Sequence, residues 1–298
     1  QFYYDLRAFL PEQRLFTDPM RTLAYGTDAS FYRLIPKIVI KADCETEVSR
    51  ILQAADRHNI PLTFRAAGTS LSGQAVTDSV LVVCGGNWNA HEILDDGHRI
   101  RLQPGVVGGH ANRYLAPYGR KIGPDPASIN AAMIGGIVAN NASGMCCGVA
   151  QNSYQTIHSM RILFHDGTLL DTADEKSRAH FKQAHARLFD DIAQLSESVR
   201  ANTELAERIR QKFKIKNTNG YSLNALVDFT DPIDILLHLM IGSEGSLGFI
   251  SEITYDTVVE HPNKASALMI FPGIASACSA ATILKKGAVD AAEIMDRA

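Results

Sequence analysis

The sequence predicts an α+β fold, in which helices, hairpins and strand–helix–strand units are intermingled, and three observations support this prediction. Short apolar segments of strand character alternate along the chain with segments of helical periodicity. Fourteen of the 22 glycines lie between residues 65 and 148, whereas none lies between Gly167 and Gly220. Apolar residues make up 46% and charged residues 20% of the 298 positions, which is typical of a globular protein with a substantial core.

The first part of the chain predicts a small strand–helix–strand unit. Residues 37–41 predict a strand, and Asp43 is expected to cap the helix that follows, whose apolar residues recur at helical spacing. Residues 61–64 predict a second strand, and residues 80–84 predict a buried third strand. The glycine- and serine-containing stretch between them, residues 65–74, predicts a loop.

Two hairpins are predicted in the middle of the chain, each around a turn that contains Asp-Gly. Their strands are residues 93–94 with 100–102, and residues 160–164 with 169–170. A short helix is predicted between the two hairpins, over residues 106–115.

The last third of the chain predicts helices and then strands. Residues 174–212 are rich in Ala, Arg, Glu and Gln and predict a mostly helical region. The pair Asp231-Pro232 predicts the start of another helix, because Asp is a good N-cap and Pro suits the first helical position. Residues 249–259 predict a strand, and a further strand and helix are predicted over residues 267–271 and 274–285.

The composition argues against several classes of protein. The formal charge is −3, whereas a nucleic-acid binder normally has a basic excess. The five cysteines are an odd number without a CxxC pair, which indicates a reducing compartment and no zinc ribbon or Fe–S cluster in this chain. The ten histidines are scattered, so no metal site is predicted. Residues 265–284 are the longest apolar-leaning stretch, but Pro272 and Gly273 interrupt it, so no transmembrane segment is expected.

Three glycine-rich segments are the candidates for a functional site. The first, residues 65–74, follows a strand and has the sequence Arg-Ala-Ala-Gly-Thr-Ser-Leu-Ser-Gly-Gln. Its glycines let backbone N–H groups turn inward, its hydroxyls add donors and Arg65 adds a cation, which together suit a phosphate or pyrophosphate. It is neither a Walker loop nor a GxGxxG fingerprint, and an ordinary surface turn remains an alternative.

The second and third segments lie further along the chain. The second runs from Gly123 to Gly144, and the third, residues 241–250, is a glycine-spaced turn into a strand. Residues 126–160 contain no Asp, Glu, Lys or Arg. This uncharged stretch is either a buried segment with satisfied amides or the lining for a large, partly aromatic ligand, and its Asn, Ser and Gly residues favour the ligand.

The three segments together resemble a known family. In order, they read Arg-x-x-Gly-Thr-Ser-x-x-Gly-Gln, then Pro-Asp-Pro-x-Ser with Ile-Gly-Gly-x-x-x-x-Asn-x-x-Gly, then Gly-Ser-Glu-Gly-Ser-Leu-Gly-Phe-Ile. This set resembles the FAD-linked oxidases, whose flavin domain is of the vanillyl-alcohol-oxidase or p-cresol-methylhydroxylase (PCMH) type. Within the family the chain is most similar to the branch of D-lactate dehydrogenase and the glycolate oxidase D-subunit.

The resemblance implies a fold and a division of the chain. Residues 1–262 are expected to form a PCMH-type FAD-binding domain, in which two α+β subdomains clasp the FAD. Residues 263–298 are expected to be the incomplete start of an α+β cap domain that carries the substrate site.

The resemblance also implies which residues contact FAD. In the first segment, wrapping the pyrophosphate, they are Arg65, Ala66, Ala67, Gly68, Thr69, Ser70, Leu71, Gly73 and Gln74. In the second segment they are Pro124, Asp125, Ser128, Ile134, Gly135, Gly136, Asn140, Ser143, Gly144 and, in the same wall, Gly148. In the third segment they are Gly242, Glu244, Gly245, Gly248 and Ile250.

Two further expectations about the cofactor follow. Some members of the family link FAD covalently to a histidine in the first segment; the segment has none here, so FAD is expected to be non-covalent. The family often has Gly-Gly where this chain has Ala66 and Ala67, and both alanines are therefore expected at negative φ. Asn217 and Tyr221 belong to another family-like stretch and are weaker candidates for a contact with the flavin ring.

The implied function is that of a flavin-dependent D-2-hydroxyacid dehydrogenase, with D-lactate as the expected substrate. The catalytic base and the carboxylate-binding residue are unknown and are expected in the cap domain beyond Ala298, so the chain alone is expected to be inactive. The expected electron acceptor is a quinone, a cytochrome or an Fe–S domain, and any Fe–S cluster is expected only in parts of a longer protein. The expected location is the cytoplasm, or peripherally the inner face of the plasma membrane.

Two alternatives remain open at this point. The same FAD domain can serve another substrate, such as glycolate, 2-hydroxyglutarate or an alkyl-glycerone phosphate. A different class is a non-catalytic flavin-binding or electron-transfer module. The adjacent Cys146 and Cys147 are interpreted as small buried residues and not as a redox pair, because adjacent cysteines close only a strained ring.

Overall fold

The computed structural model describes residues 1–84, 86–284, 287 and 289–296. The helices are α1 (Phe2–Arg7), α2 (Pro19–Ala24), α3 (Glu45–His58), α4 (Gly108–Leu115), α5 (Ile134–Asn140), α6 (Ser153–Thr156), α7 (Glu175–Ala184), α8 (Ala186–Ala201), α9 (Thr203–Lys212), α10 (Ala225–Asp228), α11 (Pro232–Met240) and α12 (Ile274–Leu284). The strands are β1 (Leu15–Phe16), β2 (Ile38–Ala42), β3 (Leu62–Arg65), β4 (Val80–Cys84), β5 (His91–Leu94), β6 (Arg99–Leu102), β7 (Arg120–Lys121), β8 (Ile157–Leu163), β9 (Leu169–Asp171), β10 (Phe249–Asp256) and β11 (Val258–Val259).

The first α+β unit is a four-stranded sheet with the order β1-β2-β4-β3. Strand β4 pairs in parallel with both β2 and β3, while β1 adds to the edge antiparallel to β2. Strand β4 reads Val-Leu-Val-Val-Cys with four of its five residues buried, as expected for a central parallel strand covered on both faces. Helix α3 turns Val48, Ile51 and Ala55 into the core of this unit.

The second α+β unit is a five-stranded antiparallel sheet with the order β5-β6-β10-β8-β9. Strand β10 is its middle strand and pairs antiparallel with both β6 and β8. The hairpins β5–β6 and β8–β9 are those that the Asp-Gly turns predict. A large apolar core, which includes Ile100, Ile253 and Leu236, packs this sheet against the helices that follow.

A charged clasp joins the two units. Arg161 of β8 donates from Nε and Nη2 to the two carboxylate oxygens of Glu45, at 2.9 and 2.8 Å, and from Nη1 to Asp171 at 2.7 Å. Ser251 of β10 also donates to Glu45, at 2.6 Å. This bidentate, partly buried arrangement fixes the start of α3 against the second sheet.

Most predicted elements are confirmed, and two local predictions are wrong. Asp43 does not cap α3: the N-cap is Cys44, and Asp43 forms an ion pair with Arg14 at 2.5 Å. Residues 267–271 do not form a strand; they run beside no other strand, and Leu268 and Ile270 are 78% and 90% exposed. The apolar run at these positions has strand character, but a strand needs a partner for its backbone hydrogen bonds.

The other differences concern boundaries. The predicted helix over residues 174–212 is three helices, α7, α8 and α9. Asp174 and Asn202 cap the starts of α7 and α9 with their side chains. The predicted helix over residues 274–285 is present as α12 up to Leu284, and Lys285 lies outside the described residues. Ala66 and Ala67 are not among the described residues with positive φ, as predicted.

Candidate functional site

A cavity of about 390 Å³ lies between the two units, and all three glycine-rich segments line it. Seventeen of the predicted site residues line it: Arg65, Ala66, Ala67, Gly68, Thr69, Ser70, Leu71, Gln74, Ser128, Gly135, Gly136, Asn140, Ser143, Glu244, Gly245, Gly248 and Ile250. Seven do not: Gly73, Pro124, Asp125, Ile134, Gly144, Gly148 and Gly242. The volume is within the usual range for a ligand pocket.

The first segment follows β3 and is a loop in which Gly68 and Gly73 have φ of +68° and +77°. Arg65 was expected to offer a cation to a phosphate, but its guanidinium is used within the protein. Nε donates to the Ala75 carbonyl at 2.9 Å, and Nη1 donates to the carbonyls of Tyr25 and Thr27 at 3.0 and 3.2 Å. Arg65 is 8% exposed and therefore shapes the loop, while the hydroxyls of Thr69 and Ser70 line the cavity.

The second segment contains helix α5, and its two glycines have different surroundings. A Cβ at Gly135 would lie 2.6 Å from the Cβ of Pro104, so Gly135 permits close packing inside the protein. A Cβ at Gly136 would meet only the Cβ of Ala66, at 3.9 Å, so Gly136 faces open space in the cavity. The backbone of Gly136 is thus accessible to a ligand.

Asp125 stabilises a turn at the end of the second segment. Its carboxylate accepts hydrogen bonds from the backbone N–H groups of Gly144, Cys146 and Cys147, at 2.9, 3.2 and 3.2 Å. These hydrogen bonds hold the turn that follows Ser143, and Asp125 does not line the cavity. A contact between Asp125 and the cofactor stays a prediction.

The third segment ties the other two together through Glu244. Glu244 Oε1 accepts hydrogen bonds from Asn140 Nδ2 at 2.5 Å and from Gln74 Nε2 at 3.3 Å. The backbone N–H of Glu244 donates to the Ala139 carbonyl at 2.9 Å, which caps the end of α5. Glu244 has a φ of +53°, which is unusual for a residue with a side chain.

A fourth stretch contributes residues that the sequence interpretation placed differently. Lys216, Thr218 and Asn219 line the cavity, and Lys216 Nζ donates to the Ser143 carbonyl. Asn217 and Tyr221, the candidates from this stretch, do not line it; the Tyr221 hydroxyl lies 2.7 Å from Ser246 Oγ. The polar run Lys-Asn-Thr-Asn-Gly indicates a site, but the sequence alone does not predict which of its residues line the cavity.

Cys84, which lines the cavity, and Cys147 are both buried. Burial raises the pKa of the Cys84 thiol to about 12 and is the main cause that raises the pKa of Cys147 to about 11. Thiols with such pKa values remain protonated near neutral pH. Cys147 is buried as predicted, whereas the predicted burial of Cys146 is wrong, since Cys146 is exposed.

Within the described ranges, no three His, Cys, Asp or Glu side chains are grouped so that they could hold a metal ion. None of the helices in the described part of the chain has the length and apolar character needed to cross a membrane.

Comparisons with known proteins show what this chain is similar to. The family model described as FAD binding domain matches residues 36–173. D-2-hydroxyglutarate dehydrogenase of Pantoea ananatis is 29% identical over 247 residues, which cover 78% of this chain and 23% of that protein. Residues 36–173 thus match an FAD binding domain, and the chain is similar to FAD-linked oxidases.

Two further relatives are similar to different parts of this chain. Glycolate oxidase subunit GlcD of Escherichia coli strain K12 is 34% identical over 145 residues, which cover 48% of this chain and 29% of that subunit. D-lactate dehydrogenase [cytochrome] 1, mitochondrial, of Saccharomyces cerevisiae is 25% identical over 88% of this chain and 37% of that enzyme. The chain spans less than half the length of these relatives.

Solved structures share the fold of this chain. Alkyldihydroxyacetonephosphate synthase has a TM-score of 0.57 at 16% identity, covering 87% of this chain and 41% of that chain. The Phl p 4 N158H variant, a glucose dehydrogenase, has a TM-score of 0.58 at 12% identity, covering 87% and 44%. The fold class predicted from the motifs, a PCMH-type FAD-binding domain of mixed helix and sheet, is confirmed.

The residues around the cavity suit FAD in their chemistry. The first segment offers hydroxyls and loop N–H groups for phosphates, and the second offers an accessible backbone at Gly136. Phe64, Met133, Ile137 and Phe249 add apolar surface for an aromatic ring system. Such a lining, apolar with a few convergent polar groups, is typical of cofactor pockets.

Proposed function

We propose that this chain is the FAD-binding part of a flavin-dependent D-2-hydroxyacid dehydrogenase and holds FAD non-covalently. One observation carries the proposal: a single cavity brings together three segments that are separated by up to about 180 residues of sequence and that together match the motif set of the family. The names of the relatives, which are dehydrogenases or oxidases of 2-hydroxy acids, support the reaction class.

Each segment has a proposed part in holding the cofactor. Residues 65–74 surround the pyrophosphate with the Thr69 and Ser70 hydroxyls and with backbone N–H groups, and Arg65 keeps the loop in shape. Gly136 lets the cofactor approach the backbone of α5. Backbone atoms near Ile250 contact the nucleotide half.

The chemistry proposed for the complete enzyme uses groups outside this pocket. FAD supplies a flavin N5 that accepts a hydride from the substrate α-carbon. We propose that the base for the substrate hydroxyl and the arginine or lysine for its carboxylate belong to a cap domain that begins at about residue 263. A quinone, a cytochrome or an Fe–S domain is the proposed electron acceptor.

Addition of FAD to the purified chain tests the cofactor proposal. We expect a stoichiometric complex with a perturbed flavin absorbance spectrum, and we expect denaturation and filtration to release all of the flavin, because residues 65–74 contain no histidine for a covalent link. Free riboflavin, which lacks the pyrophosphate, is the matched ligand control and is expected to bind much more weakly. Absence of an FAD complex would rule out the proposed function, and flavin retained by the denatured chain would rule out non-covalent binding.

The substrate is tested on a longer form of the protein that includes the cap domain. The sequence motifs favour D-lactate, and the relatives include D-2-hydroxyglutarate dehydrogenases. We expect anaerobic bleaching of the flavin by at least one of these D-acids and not by its L-enantiomer, while the present chain with FAD is expected to show no bleaching. Equal bleaching by both enantiomers, or by neither, would contradict the proposed reaction class.

A further inference from the structure

Glu244 is the one side chain that is hydrogen-bonded to both other glycine-rich segments in the described part of the chain. Its Oε1 accepts one hydrogen bond from Asn140 Nδ2 of the second segment and one from Gln74 Nε2 of the first segment. Gln74 is the last residue of the loop proposed to surround the pyrophosphate. The Glu244 carboxyl therefore lies at the end of this loop, in a residue that lines the cavity, and neither hydrogen bond uses Oε2.

The two cationic side chains that line the cavity with Glu244 are hydrogen-bonded to backbone carbonyls and not to its carboxylate. The other titratable side chains that line the cavity are Arg65 from β3, Cys84 from β4 and Lys216 from the stretch after α9. The Arg65 guanidinium donates to main-chain carbonyls, and Lys216 Nζ donates to the Ser143 carbonyl. Glu244 has no ion pair among the described residues, and its burial raises the pKa of its carboxyl despite the two amide donors.

A negatively charged ligand in the cavity would further disfavour the ionised form of Glu244. A carboxylate beside a phosphate group is destabilised by like-charge repulsion, more strongly in a partly dehydrated pocket than in water. In addition, the buried oxygen Gln74 Oε1 has no hydrogen-bond partner in the described structure, so this corner of the cavity has more acceptors than donors. A proton on Glu244 removes the charge and adds a donor.

We propose that Glu244 takes up one proton from solvent when FAD binds, so that this side chain couples FAD affinity to pH. Oε1 accepts the two amide N–H groups, and the proton resides on Oε2, which then donates to an acceptor in the filled cavity. The inference rests on the proposed function, because it requires FAD in this pocket. In this role Glu244 is a positioning residue that also controls the charge of the site.

Calorimetric titration of the apo chain with FAD tests the coupling directly. In two buffers of different ionisation enthalpy at pH 7, the difference in binding enthalpy gives the number of protons taken up, which we expect to be close to one per FAD bound. Because the neutral carboxyl is the binding form, the affinity for FAD is highest at low pH. It falls as the pH rises above the pKa that Glu244 has in the chain without FAD. The dissociation constant is expected to rise by at least about tenfold between pH 5.5 and pH 8, with a limiting slope of about tenfold per pH unit.

Two variants separate Glu244 from other titrating groups. Glu244→Gln keeps an acceptor for Asn140 and Gln74 but cannot ionise. We expect this variant to bind FAD without proton uptake, and we expect its affinity to change little between pH 5.5 and pH 8. Glu252→Gln is the matched control, because burial also raises the pKa of Glu252 but this residue does not line the cavity. It is expected to take up the same number of protons as the unsubstituted chain.

The outcomes distinguish this inference from the proposed function. FAD binding without proton uptake by the unsubstituted chain, or proton uptake that persists in Glu244→Gln, would overturn the inference and leave the FAD site standing. Much weaker binding by Glu244→Gln at every pH would also overturn it, since it would mean that the ionised carboxylate is the binding form. Failure of the unsubstituted chain to bind FAD at any pH would overturn the proposed function itself.

Discussion

Gly136→Leu is expected to weaken FAD binding strongly while the protein remains folded. The added side chain would project into the cavity, where only the Ala66 Cβ lies within 4 Å of a Cβ at this position. Leucine is also a better helix former than glycine, so α5 gains intrinsic stability of about 0.5–1 kcal/mol. Filling ligand space costs about 1–3 kcal/mol, so the dissociation constant for FAD is expected to rise by up to about a hundredfold.

Fluorescence titration with FAD measures this loss, and thermal unfolding without FAD measures the fold. Gly135→Ala is the matched control in the preceding position of the same helix. A Cβ there would lie 2.6 Å from Pro104, so this variant is expected to lower the melting temperature of the apo protein. If Gly136→Leu bound FAD as tightly as the unsubstituted chain, the cofactor would not approach α5 at this position.

Gly144→Ala is expected to give the largest loss of stability. The new Cβ would overlap both the backbone carbonyl and the carboxylate of Asp125, and Asp125 holds three N–H groups of the turn that includes Gly144. Relief of the overlap requires loss of those hydrogen bonds. We expect the free energy of unfolding to fall by about 3 kcal/mol and the melting temperature to fall by about 5 °C.

Thermal and urea unfolding of the apo chain check this value. Gly136→Ala is the control for the same chemical change, since a Cβ at Gly136 has room and the helix gains from alanine. Its melting temperature is expected to be unchanged or higher. Equal stability of Gly144→Ala and the unsubstituted chain would show that the Asp125 turn moves easily and does not fix the second segment.

The sequence predicted the fold and the segments of the site well because these depend on local chemistry. Strand β4 and the two Asp-Gly hairpins follow from runs of apolar residues and from turn residues close in sequence. The cavity is lined by the three glycine-rich segments because such backbones are used where a ligand comes close.

The functions of individual polar side chains were less predictable. Arg65 and Asp125 have the charge expected of ligand contacts, yet both bind backbone groups of distant loops. Lys216 lines the cavity although nothing in its sequence neighbourhood gives its direction. Each of these partners is fixed only by tertiary packing, and so is the missing strand at residues 267–271, which depends on whether a neighbouring strand is present.

The position of β10 has a consequence for how the chain acquires its fold during synthesis. This strand is the middle of the five-stranded sheet, yet it lies about 150 residues after its neighbour β6 along the chain. Until the ribosome has released residue 256, β6 and β8 each present an unpaired edge to other molecules, and such edges promote aggregation. These two edges therefore stay unpaired during the translation of residues 164–256, and the cavity, which Ile250 lines, is complete only after it.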